Sequence, residues 1–458
     1  MSGISEEQKD LLKDLERRSY PPDLVLHRLF VFLKEKAEEE PLDPKWLNIW
    51  KKCEPDAYKV FPPDVIKEIR EKIQSIKPID EEIWKIKIKD ETKVTFLLGA
   101  GASAPSGIPT VNKLLSELWK RARKIGREDL DRLAEWCKER DIDNIEDLLT
   151  AAYISNFAAR NSNVTSLLNY FIFSGGRQLS DEEYFLPRRR LRRNPQIDVS
   201  SISFLQHTLQ TLFGLLTSTM ISASPNPTHE AIVSFIERHK NTSIITTNYD
   251  GCMDEALLKN GVLLKGTISG ENEDNPEATQ LIKMHGSINW AYCDSCQDVR
   301  EFDLLELKRI YENDKLSYPV IGICKNCGGL RRPLLVPPLS FKFLMFPNLI
   351  DIWNAASRSI QDADYLIVVG YSFSEADTYI TKIISRSMSM NENQKMIIVN
   401  TDLDLVPTLR DRFAAHIENF GKSRILKACE SSEKALPEIL KSMLGQKDNK
   451  KKSNAKNK

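Results

Sequence analysis

Five short apolar runs limit what this chain can fold into more than any other feature: VTFLL (94–98), TSIITT (242–247), QLIKM (280–284), DYLIVVG (364–370) and KMIIVN (395–400). Each leads straight into a polar or glycine-bearing turn, as a strand buried on both faces does. Between them lie helical patterns such as LLSELWKRARKI and HEAIVSFIERH. Apolar strands alternating with helices predict an α/β fold, a parallel sheet with helices on both faces. From 112 to 240 no comparable strand occurs and the patterns are helical, which marks a large helical insertion in the strand series.

A chain of 458 residues is expected to hold more than one structural unit. Residues 1–90 read as a helical N-terminal region and 91–430 as the sheet-bearing domain, with the insertion at 112–240 and a cysteine module at 289–333. Residues 431–458 read as the end of a C-terminal helix followed by a disordered lysine-rich tail, KDNKKKSNAKNK. Trp46, Trp50, Trp84 and Lys51 form either a partner surface or part of amphipathic helices packed on the main domain, the second being the expectation.

Lys+Arg and Asp+Glu both number 65, so no net field draws the molecule to nucleic acid or an anionic membrane. The run PRRRLRR (187–193, Arg188 to Arg193) either meets phosphates or is a solvated loop; aromatic residues are sparse around it, so direct nucleic-acid binding is not expected. No apolar run approaches the roughly 20 residues that span a bilayer. The start, MSGISEEQKDLL, lacks the basic-then-apolar order of a signal peptide, so a cytoplasmic protein without a membrane partner is expected.

Four places carry chemistry. Gly99-Ala100-Gly101-Ala102-Ser103 lets a backbone approach a pyrophosphate closely, and it continues into Ser106-Gly107-Ile108-Pro109-Thr110. Thr246-Thr247-Asn248-Tyr249-Asp250 ends a strand, where open parallel sheets bind ligands; an Asx turn would use the same residues. Met284-His285-Gly286-Ser287 also ends a strand, and His285 is the one good candidate base among six histidines. Cys293, Cys296, Cys324 and Cys327 form two close pairs that fill a tetrahedral zinc shell and leave no place for water, so the zinc is structural. Gly370-Tyr371-Ser372 and Asn400-Thr401-Asp402 are polar turns at further strand ends, suited to the adenosine half of a dinucleotide or to ordinary helix caps.

In this order the motifs resemble the sirtuin family, over about 93–405 without the insertion. The resemblance implies a Rossmann-like NAD domain with a small zinc module. Asn248 and Asp250 then line the nicotinamide pocket, and His285 is the catalytic base. Gly99, Ala100, Gly101 and Ser103 face the NAD phosphates, Gly370, Ser372 and Asn400 lie near the adenosine, and Pro109 and Thr247 complete the NAD-binding set.

The chain also departs from the family pattern. Lysine-deacylating sirtuins carry Asp-Phe-Arg after the Gly-Ile-Pro step, where this chain has Thr110-Val111-Asn112. Thr247 replaces a Gln, Tyr249 replaces a small aliphatic residue, and PLLVPPLSFKF and GYSFSEAD replace the peptide-binding segments. These departures and the insertion resemble the sirtuin-like proteins of prokaryotic anti-phage defence, which hydrolyse NAD; the retained cysteines pull the other way. The expected activity is NAD hydrolysis to nicotinamide and ADP-ribose, with an NAD-dependent protein lysine deacylase and a non-catalytic NAD or ADP-ribose sensor as alternatives. Expected partners beside NAD are a second copy of the chain, or a partner ATPase or Argonaute-like protein.

Overall fold

In the computed structural model, residues 10–35, 45–74, 79–149 and 214–445 are described, apart from short stretches within them. The PRRRLRR run and the lysine-rich tail lie outside the described residues.

Among the described residues ten strands follow in chain order: β1 (Val94–Leu98), β2 (Thr242–Thr246), β3 (Leu264–Lys265), β4 (Thr279–Lys283), β5 (Gly286–Cys293), β6 (Val299–Glu301), β7 (Arg331–Leu335), β8 (Tyr365–Val369), β9 (Lys395–Val399) and β10 (Ile425–Ala428). Seven form one sheet in the order β10-β9-β8-β1-β2-β4-β3, and β6-β5-β7 form a second. Every ladder of the large sheet is parallel. The two ladders of the small sheet are antiparallel, and β5 shifts register against β7 between Ser287 and Ala291.

Successive strand side chains point to opposite faces, so an apolar run without polar interruption requires cover on both sides. On one face Val94, Phe96, Leu98, Ile367, Val369, Ile397 and Val399 share a core with the helices Pro227–Ile236, Cys252–Lys259 and Ser432–Met443. On the other, Leu97, Leu366, Val368, Met396 and Ile398 meet Val111–Lys124, Leu349–Asp362, Thr378–Met390 and Leu405–His416. Ile83 and Ile86, before residue 91, join the first of these cores. Backbone bonds support them, since Asp80 N donates to Lys427 O at 2.9 Å.

The N-terminal helices Pro22–Glu35, Lys45–Val60 and Pro63–Gln74 pack on one another rather than on the sheet. Trp46 and Trp50 are buried there with Leu26, Leu29, Ile66 and Ile69, which corrects the expected docking of these tryptophans on the main domain. Trp84 alone of the three packs against the sheet core. The five apolar runs coincide with β1, β2, β4, β8 and β9. β10 and the two-residue β3 carry too few apolar residues to stand out. No helix among the described residues is long and apolar enough to cross a membrane.

Candidate active site

From β1 the chain builds β2, β3 and β4 on one side and returns to β8, β9 and β10 on the other. The order therefore reverses between β1 and β8, and crevices beyond the carboxyl ends of strands at such a reversal are where open sheets bind ligands. The turns after β1 and β8 meet at that point. Gly99 N donates to Val369 O at 2.9 Å and Gly101 N to Gly370 O at 2.8 Å. A Cβ on Gly99 would lie 2.6 Å from Tyr371 Cα, and one on Gly101 2.7 Å from Gly370 Cα. Gly370 has φ +62°, and a Cβ there would reach Ala102 N at 2.3 Å. The glycines thus let two backbones touch, a structural duty that the phosphate-binding reading of this loop had not included.

Asn248 ties β2 to the same loop. Its amide Nδ2 donates to Gly99 O and to Ser103 Oγ, both at 3.0 Å, while Thr247 N donates to Leu98 O at 3.0 Å. Ser103 is buried and Ala100 half-buried. Both amide hydrogens of Asn248 are thereby engaged, and its Oδ1 remains an acceptor.

Asp250 is buried and turns toward the next helix, where its Oδ1 accepts from Cys252 N at 3.0 Å. This is the Asx turn weighed above. Burial and then the Asp250 charge push the Cys252 thiol well up, which keeps it an inert core group. His285, on the turn between β4 and β5, is 4% exposed. Its ring lies 6.1 Å from that of Trp353 at 24° and 6.5 Å from that of Tyr249 at 41°. Backbone bonds hold the turn, with Met284 N donating to Thr246 O at 3.0 Å and Val336 N to His285 O at 2.9 Å. Gly286 has φ +81°, and a Cβ there would strike Leu334 O at 2.1 Å, so the turn needs glycine.

The outer candidates are arranged differently. Asn400 Nδ2 donates to Tyr371 O at 3.0 Å and its Oδ1 accepts from Asp402 N at 3.0 Å, so it braces the β8 turn rather than capping a helix. Ser372 is exposed. Pro109 lines a separate cavity of about 200 Å³ with Ser106, Gly107, Arg121 and Thr219, which none of Asn248, Asp250 and His285 borders.

The four module cysteines converge, with ligand atoms all within 4.8 Å of one another. Cys293 and Cys327 sulfurs are 3.5 Å apart, as are those of Cys296 and Cys324. Thiolates at about 2.3 Å from a tetrahedral zinc stand roughly 3.8 Å apart, so the set fits the ion. Arg331, on β7, donates to Cys324 Sγ at 3.3 Å and to Ala291 O at 3.0 Å, and also pairs with Asp298, a second shell that holds the site against β5.

Two groups escaped sequence reasoning. Lys283 is buried at the end of β4 and reaches Asp254 Oδ1 at 2.5 Å, Ser287 Oγ at 2.9 Å and Asn289 Oδ1 at 3.0 Å. A lysine inside the run QLIKM was the available signal. Asp377 sits beside His285, with Oδ1 3.4 Å from Nε2, and its Oδ2 accepts from Tyr371 OH at 2.9 Å. Only its place in GYSFSEAD hinted at it.

A family model described as the SIR2-like domain matches residues 242–318, from β2 into the small module. An NAD-dependent protein deacetylase of Clostridium tetani is 27% identical over 195 residues, covering 42% of this chain and 64% of its own length. One from Staphylococcus aureus is 25% identical over 220 residues, covering 48% and 68%. A solved Sir2 homologue–NAD complex is 18% identical with a TM-score of 0.42, over 80% of this chain and 93% of its own. This chain thus spans less than two thirds of the Clostridium tetani relative. The matched SIR2-like domain lies over the strand ends that carry Asn248, Asp250 and His285, and over that stretch the chain is similar to sirtuins.

Proposed function

We propose that the chain binds NAD across the β1–β8 reversal and cleaves its nicotinamide–ribose bond with water as acceptor, releasing nicotinamide and ADP-ribose. The observation that carries this reading is the meeting of four distant segments on one sheet edge: Asn248 bonds the Gly99–Ser103 loop, Gly370 abuts that loop, and the His285 turn is bonded to the end of β2. The sirtuin relatives are named as NAD-dependent enzymes, which supplies the substrate class.

The Gly99, Ala100, Gly101 and Ser103 loop receives the pyrophosphate, Gly370, Ser372 and Asn400 flank the adenosine, and Pro109 and Thr247 border the site. Asp250 holds the nicotinamide amide; a carboxylate has several acceptor positions, so its bond to Cys252 N is compatible with that task. As the bond to nicotinamide lengthens, positive charge grows on the ribose, and oriented dipoles in a dry site lower the barrier. Asn248 orients the attacking water through Oδ1, and His285 accepts the proton from that water or a ribose hydroxyl. Val111 follows the Gly-Ile-Pro step where deacylating sirtuins carry a phenylalanine that shields the ribose, which leaves water better access.

Deacylation is the second reading, favoured by the names of the two relatives. Incubation with NAD, with and without an acetylated peptide, and chromatography of nicotinamide and ADP-ribose separate the two. Hydrolysis predicts release without peptide, whereas peptide-dependent release establishes the deacylase and tight binding without release a sensor. His285→Ala and Asn248→Ala should each lower turnover at least about 100-fold; activity that survives both refutes the site.

A further inference from the structure

Asp377 immediately precedes the helix Thr378–Met390 and is buried to 4% exposure, as His285 is. The His285 Nε2 and Asp377 Oδ1 atoms approach to 3.4 Å out of reach of solvent, a charge-pair distance that lacks hydrogen-bond alignment in this structure. Tyr371 OH holds the other carboxylate oxygen at 2.9 Å, and burial, reinforced by the Asp377 charge, pushes the Tyr371 hydroxyl far above its usual range, so it stays a donor. The left-handed backbone at Gly370, braced by the β1 turn, fixes where Tyr371 and the following segment begin.

We propose that Asp377 is a positioning residue for His285: it accepts the Nε2 proton and so leaves Nδ1 as the basic nitrogen of the ring. This rests on the reading of His285 as the general base. A neutral imidazole has one donor and one acceptor nitrogen, and an ionised carboxylate only accepts. A hydrogen on Nε2 is the arrangement that an ionised Asp377 at 3.4 Å favours. The proton removed from water or the ribose hydroxyl passes to Nδ1, and the resulting imidazolium is offset by the Asp377 carboxylate. It returns to solvent after products leave. Among the described residues Asp377, with Tyr371 behind it, Tyr249 and Trp353 flank the ring, and of these Asp377 alone is anionic.

Asp377→Asn preserves the shape but offers Nε2 an amide donor, which favours the opposite tautomer. In steady-state assays of NAD cleavage by the full chain, kcat should fall on the order of 10²- to 10⁴-fold with KM for NAD changed only a few-fold. Asp377→Glu should restore part of the rate. Imidazole ¹⁵N spectra, with the His285 signal assigned by its loss in His285→Gln, read the tautomer without turnover. The expected result is an Nε2-protonated ring in the native protein and an Nδ1-protonated ring in Asp377→Asn. A native ring protonated at Nδ1, or one unchanged by Asp377→Asn, overturns the proposal; the native spectrum decides this even if the variant does not fold. Full nicotinamide release by His285→Ala would instead overturn the base reading, while the spectra report the Asp377 pairing separately.

Discussion

Individual residues at the strand ends do two jobs at once, and this shapes what substitution can show. Asn226 caps the helix Pro227–Ile236, its side chain accepting from Thr228 N at 2.8 Å, and its own N donates to His229 Nδ1 at 3.2 Å to close a capping box. Its amide also bonds Ala102 O at 2.8 Å and Ser106 Oγ at 2.9 Å, so the cap steadies the glycine loop. His229 is buried, and burial lowers its pKa from 6.5 against the opposing pull of Asp250. The fold therefore favours the neutral ring, whose Nδ1 is needed as an acceptor. Its contribution is present above pH 6.5 and is lost as pH falls through the lowered value, because the unfolded chain takes up the proton first. The melting temperature should decline below pH 6.5, before carboxylates titrate. His229→Gln keeps an acceptor at the same capping position and should flatten that limb; an unchanged slope would show that His229 does not govern it.

Among elements, the join between the large sheet and the small one carries a buried charge within an otherwise apolar core. Lys283 ends β4, Ser287 and Asn289 lie on β5, and Asp254 lies on the helix Cys252–Lys259, so one buried ammonium links three elements around the turn that bears His285. Removing one partner of a buried pair strands the other charge and costs about 3–5 kcal/mol, whereas replacing both with apolar groups costs far less. In chemical denaturation, Lys283→Met and Asp254→Leu should each destabilise by about that amount. The double variant should be markedly more stable than the sum of the two predicts, and additive losses would show that the pair is not coupled. Neither partner stood out in the sequence as half of a pair. They are 29 residues apart on elements whose contact depends on how β4 and β5 leave the sheet.

At the scale of the whole molecule, the small antiparallel sheet has three strands, with β6 only three residues long, and gains from a staple between β5 and the segment before β7. The four-cysteine shell is that staple. The purified protein should carry one zinc per chain, and a strong chelator should lower its melting temperature and expose the β5–β7 ladder to hydrogen exchange. Cys327→Ser should do the same without chelator, and a metal-free protein with full protection there would refute the assignment. Much of this was legible in the chain alone. Strands β1, β2, β4, β8 and β9 are largely buried on both faces, so each carries a run of apolar residues that polar ones only punctuate, and the cysteine spacing states its own chemistry. Local sequence thus determined five of the strands, that these lie parallel, and which four residues can hold a metal. Tertiary structure alone decided that Gly99, Gly101 and Gly370 meet backbone to backbone, that Trp46 and Trp50 form a separate core, and that Asp377 lies beside His285. Such contacts join residues tens to hundreds of positions apart, and nothing in the local pattern of either partner encodes the distance between them.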